Sequence, residues 1–98
     1  MRIIWEEEAL TEANAAVRYY HQQQAGLGQR FVDAIEDAAA KIAHRPLLYR
    51  KVVGDVRKCK LPHFPFGIVY SVRDEAIYII AVMHIRQEPG YWKHRINP

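Results

Sequence analysis

Seven side chains in the second half of the chain have types and spacing that can handle a negatively charged oxygen: Arg57, Lys58, Lys60, His84, Arg86, Tyr91 and Arg95. Cleavage of RNA without a metal needs a base for the 2′-hydroxyl proton, cations facing the phosphorus-bound oxygens, and an acid for the leaving oxygen. Lysine, arginine, histidine and tyrosine can fill those roles, and a tyrosine such as Tyr91 can also stack a base. The same group, at the rim of a small sheet, can equally meet a protein partner. A blander account stands beside both. Lys58 and Lys60 can be the solvated side of an edge strand that resists aggregation, and Tyr91 and Trp92 can anchor the C-terminal turn.

Other chemistries lack their residues. Ser71 is the only serine and Thr11 the only threonine, and neither sits in a Gly-x-Ser-x-Gly elbow. His21, His44, His63, His84 and His94 show neither H-E-x-x-H nor Cys/His spacing, so no metal is expected. Gly26-Leu-Gly28 is too short for a phosphate loop and reads as a helix-hairpin turn. No cofactor is expected. Cys59 alternates with lysines in a strand pattern, which favours an inward, reduced thiol over a nucleophile.

At 98 residues and 50% hydrophobic, the composition suits one domain, residues 1–98, burying roughly two-thirds of its unfolded surface. A lone cysteine and an N-terminus that runs from Met-Arg-Ile-Ile-Trp into three glutamates, without an apolar leader, point to a soluble cytoplasmic protein. No run approaches the length of a membrane span. The net charge of +3 conceals an asymmetry: residues 1–49 carry five Lys/Arg against seven Asp/Glu, and residues 50–98 nine against four. The later half is therefore at +5, which suits nucleic acid or an acidic partner.

The elements that must position these groups follow from periodicity. Arg2 to Trp5 reads as a short strand. Glu6, Glu7 and Glu8 fall in a first helical turn, where carboxylates meet the positive end of the helix dipole. Leu10, Ala13, Val17, Tyr20 and Gln24 then recur at helical spacing. Gly26 and Gly28 interrupt, and Leu27, Phe31, Ala34, Ile35, Ala38 and Ile42 form a second helix ending before Pro46. Beyond Pro46 the period becomes two: Val56, Lys58 and Lys60 oppose Arg57, Cys59 and Leu61, and Phe66, Ile68, Tyr70 and Val72 oppose Gly67, Val69, Ser71 and Arg73. Arg73-Asp-Glu-Ala76 is a hairpin turn. Ile77 to Met83, apolar on both sides, is an interior strand covered twice or lying under a loop. The predicted fold is α+β: an N-terminal strand and a helical hairpin packed on a small, mostly antiparallel sheet of about four strands, with a short C-terminal helical turn.

Two sets of motifs carry a family resemblance over nearly the whole chain. Lys58-x-Lys60-Leu61, Ile68-Val69-Tyr70-x-Val72-Arg73-Asp74 and Tyr91 resemble the RelE-type toxins of bacterial type II toxin-antitoxin pairs. For a ribosome-dependent mRNA endoribonuclease of that kind, the resemblance implies Lys58, Lys60, Arg86 and Tyr91 as catalytic residues. Glycine stands at 67, where those ribonucleases carry a phosphate-supporting arginine. The helical hairpin, Pro46, Phe64-Pro65-Phe66 and Val82-x-His84-x-Arg86-x-x-Pro89-x-x-Trp92-x-x-Arg95 are similar to the ParE-type, or plasmid-stabilisation, branch. The chain is identified as a member of the RelE/ParE superfamily, with the ParE-like branch favoured. That branch implies a toxin that inhibits growth by binding DNA gyrase, needs no catalytic residues, and is neutralised by a cognate antitoxin, with which it can form a heterotetramer. Arg57, Lys58, Lys60, His84, Arg86 and Arg95 are then the residues expected to meet target or antitoxin. A fold that keeps the antitoxin but has lost toxicity is the third possibility.

Overall fold

The computed structural model describes residues 1–96. Strand β1 (Arg2–Trp5) leads into α1 (Glu7–Gln23), α2 (Leu27–His44), β2 (Arg50–Val53), β3 (Val56–Lys60), β4 (Phe66–Arg73) and β5 (Ala76–His84), and a 3₁₀ turn (Lys93–Arg95) closes the chain. The five strands form one sheet in the order β1-β5-β4-β3-β2. Only β1 runs parallel to its neighbour, β5; the other pairs are antiparallel.

Helix α1 begins with Glu7 and Glu8 in its first turn, on the favourable end of the dipole. Its inward side is narrower than the leucine-led stripe predicts: Ala9, Ala13 and Ala16 are buried, whereas Leu10 is 47% exposed. Alanines let the helix approach β5 closely, and Leu10 stands beside that stripe facing water. Gly26 turns the chain with φ +82°, a left-handed conformation that costs glycine little. Gly28 permits the close crossing of the two helices, since a Cβ there would stand 3.0 Å from the Val17 carbonyl oxygen and 3.1 Å from His21 Cβ. Helix α2 buries Phe31, Ile35, Ala38, Ala39 and Ile42 and ends before Pro46.

The sheet has five strands where the pattern suggested four. The addition is β2, whose four residues are all exposed. An outermost strand buries neither side, so it shows no period-two signature, and its cations suit an edge that must not recruit other chains. It joins β3 through Gly54-Asp55, with Gly54 at φ +50° and Val53 opposite Val56. The β4–β5 turn places Asp74 and Glu75 at φ +50° and +59°, the two positive values of a type I′ hairpin.

Between Val69 and Tyr70 the β4–β5 register shifts, with Val69 opposite Ala81 and Tyr70 opposite Ile79. Ile80 is thus the extra residue of a bulge. Ile77, Ile79 and Val82 pack with the helices on one side of the sheet, together with Ile68, Tyr70, Cys59 and Leu61. Ile80, Ala81 and Met83 face the other side, where Val56, Val69 and Trp92 complete a second cluster. Strand β5 is therefore covered twice, by helices and by the C-terminal tail, which accounts for its unbroken apolar run.

Candidate functional site

Strand alternation divides the predicted site. Lys58 and Lys60 project from β3 on the side away from the helices, the side of Val56. Lys60 is exposed and stands opposite Gly67. Lys58 is half-buried because its stem lies across that glycine: a Cβ at 67 would meet Lys58 Cγ at 3.2 Å and Cδ at 3.3 Å. Where the ribonuclease pattern has an arginine, this sheet has bare backbone with a lysine laid over it.

Arg57 takes the opposite side. Its Nη1 donates to the carbonyls of Leu47 at 3.1 Å and Tyr49 at 2.7 Å, so it buckles β3 to the connection between α2 and β2. His84 is also on the helix side, its ring 5.1 Å from that of Phe66. Its Nδ1 accepts the Arg86 amide at 3.0 Å, which puts the ring proton on Nε2 in the neutral form. The imidazole borders an aromatic hollow with Tyr19, Tyr20 and Phe66. Arg86 follows β5 in an exposed turn.

Tyr91 and Arg95 are committed to the tail's own attachment. The Tyr91 hydroxyl donates to Glu12 Oε2 at 2.5 Å, and burial, then that carboxylate, push its pKa well above the ordinary tyrosine value. Arg95 reaches both Glu12 oxygens, at 2.9 and 3.2 Å, and donates to the Ile80 carbonyl at 3.0 Å. Its Nε lies 3.3 Å from Glu8 Oε2 but is not aligned as a hydrogen bond. The Arg95 side chain is only 10% exposed, so this residue, predicted on the binding surface, is instead enclosed. The physical reason is Glu12: a carboxylate on the alanine-lined side of α1 needs a cation, and Arg95 supplies it.

Glu12 is the residue that sequence reasoning missed. Its signal is positional, since it lies three residues after Ala9 and four before Ala16, within the buried stripe. Cys59 is buried, and burial pushes its thiol pKa up, away from nucleophilic character. Among the described residues no group of three His, Cys, Asp or Glu side chains can hold a metal, and no helix is long and apolar enough to cross a membrane.

The helix-free side thus carries Lys58 and Lys60, the helix side carries Arg57 and His84, and the Tyr91 hydroxyl is occupied by Glu12. Those groups do not converge on one phosphate. The surface they offer instead is a groove on the helix-free side, between the β2–β3 hairpin and the tail, bordered by Val52, Val53, Lys58, Ile85 and Lys93.

A family model described as "ParE toxin of type II toxin-antitoxin system, parDE" matches residues 3–89. No curated protein matches the chain. Among solved structures, a chain from "Chromosomal ParDE TA system from P. aeruginosa" superposes with a TM-score of 0.63 at 19% identity, covering 86% of this chain and 95% of that one. At that identity the likeness is one of fold.

Proposed function

This chain belongs to the ParE toxin family of type II toxin-antitoxin systems, and from that premise we propose that it arrests growth by binding DNA gyrase and is held inactive by a cognate antitoxin. The observation that carries the choice of a binding mechanism is that the sheet separates His84 from Lys58 and Lys60 while Glu12 occupies the Tyr91 hydroxyl. A ribonuclease must gather a base, an acid and cations around one phosphate. Here Lys58 lies flat over Gly67 on one side while His84 contacts Phe66 on the other. A toxin that acts by occupying its target needs no such convergence, only a complementary surface.

Charge supports a protein partner. Arg50 and Lys58 stand directly opposite each other on β2 and β3, a like-charge pair that costs stability unless an anion joins it. A neutralising polypeptide with an acidic segment would be such an anion, and coupled folding would let a short chain cover a wide area.

Purified protein incubated with gyrase and supercoiled plasmid is expected to accumulate linear DNA, with no cuts in translated mRNA by primer extension. Codon-placed mRNA cuts without trapped gyrase would establish the ribonuclease alternative. Unimpaired growth on induced expression would leave only an antitoxin-binding module.

A further inference from the structure

The helix-free side holds two adjoining hollows that share Val52 and Lys58. One, of about 260 Å³, is bordered by Val52, Val53, Met83, Ile85 and Pro89, with Trp92 in its wall and Lys58 and Lys93 beside it. The other, of about 230 Å³, is formed by Arg50, Lys51, Val52 and Lys58. We propose that this double groove is a docking site for a short segment of a partner polypeptide that carries one large aliphatic side chain followed by carboxylates.

The apolar compartment is built by two local irregularities. The register shift in β2 between Lys51 and Val53 brings consecutive valines, normally on opposite sides of a strand, to the same hollow. Val52 and Val53 are 40% and 39% exposed, and Ile85 is 52% exposed. Three aliphatic side chains open to water around one concavity are an unfilled contact surface, not scattered surface residues.

The charged rim is built by two glycines. Lys58 folds over Gly67, and Lys93 folds over Gly90, where a Cβ would stand 2.7 Å from Lys93 Cε. Each glycine lets a lysine stem lie down on the protein, so that its methylenes extend the apolar lining and its ammonium stays at the edge. Among the described residues neither ammonium has a carboxylate within ion-pair distance, whereas the neighbouring Lys51 is paired with Asp55 at 3.6 Å. Arg50 stands opposite Lys58 on the adjoining strand. Three cations that have no counter-ion among the described residues, beside an aliphatic hollow, match a ligand with apolar and anionic parts.

A nucleic acid fits less well. Single-stranded binding depends on aromatic faces open for stacking, and among the described residues the one aromatic bordering the groove, Trp92, is 3% exposed. Taken as the neutralising partner, the occupant deepens the function proposed above and rests on it.

The test is fluorescence anisotropy of the full chain with a labelled ten-residue peptide containing one leucine followed by glutamates. Saturable binding is expected, weakened about tenfold or more by Lys58→Glu and by Ile85→Glu, each a change at a rim position. Lys41→Glu on α2 should leave it unchanged, as the control for bulk charge. Replacing the peptide's leucine by serine, or its glutamates by glutamine, should also weaken it. Equal binding by wild type and both groove variants would overturn the site, as would competitive displacement by single-stranded oligothymidylate. The two proposals fail separately. Groove-dependent peptide binding by a protein that neither traps gyrase nor slows growth would leave the docking site and remove the toxin function. Gyrase trapping with groove-independent peptide binding would do the reverse.

Discussion

Glu12 on α1 accepts the backbone amide of Val82 on β5 at 3.0 Å. The pair is the point at which the helix layer, the sheet and the C-terminal tail are joined. Strand β1 ends at Trp5 opposite Ile79, so the edge of β5 beyond that point has no strand partner. Its polar groups are met instead by side chains, Val82 N–H by Glu12 and Ile80 C=O by Arg95. An edge sealed in this way offers nothing to a foreign strand.

Removing that carboxylate strands several donors at once. Glu12→Ala leaves Arg95, the Tyr91 hydroxyl and the Val82 amide without their shared acceptor, and is expected to cost about 3 kcal/mol in urea unfolding. Tyr91→Phe removes one bond and should cost about 1 kcal/mol. A Glu12→Ala loss no larger than that of Tyr91→Phe would show that the tail is not fastened through Glu12.

Gly28 is held small by the opposing helix. Gly28→Ala gains about 1 kcal/mol of helix propensity, but its methyl meets the Val17 carbonyl at 3.0 Å, and backbone cannot yield as a side chain can. The net expectation is a loss of about 1–2 kcal/mol, read as a fall of several degrees in the unfolding midpoint. Gly67→Ala presses only on the flexible Lys58 stem, its contact with the Cys59 carbonyl oxygen at 3.5 Å being an ordinary one, and should leave the midpoint nearly unchanged.

The β4–β5 turn carries relievable strain. Glu75 adopts φ +59° without being glycine, at a cost of about 1–2 kcal/mol. Glu75→Gly removes that cost and loses part of it to unfolded-state entropy. A gain of about 0.5–1 kcal/mol is expected in denaturant titration, with the β4–β5 register unchanged.

Stability should fall in strong alkali through Tyr70. Its hydroxyl donates to the Pro46 carbonyl at 2.6 Å, and burial pushes its pKa from 10.0 up to about 12. A folded-state pKa above the unfolded value means that the unfolded chain releases the proton first. This contribution is whole below pH 10 and is lost as pH rises from 10 towards 12. Urea midpoints measured across that window should decline, and Tyr70→Phe should flatten part of the decline.

Much of the architecture was legible from local pattern, because helical spacing and strand alternation report which side of an element is buried. The alternation of Val56, Lys58 and Lys60 against Arg57, Cys59 and Leu61 already implied that Lys58 and Arg57 point apart. The hairpin turn at Asp74-Glu75 and the end of α2 before Pro46 were likewise written in neighbouring residues, though the type I′ geometry of that turn was not. Strand β2 was not, because an edge strand exposed on both sides owes its existence to pairing with β3 and carries no signature of its own.

What the amino-acid order determined by itself is every element but β2, the sign of the later half and the family pattern, all of which depend on residues near one another in the chain. Tertiary structure alone decided that Glu12 meets Arg95 across 83 positions, that His84 lies against Phe66 rather than beside the lysines, and that two lysines fold over glycines to shape a groove. Such contacts depend on how layers stack and where a bulge turns a strand, and a one-dimensional period does not encode which layer comes to rest against which.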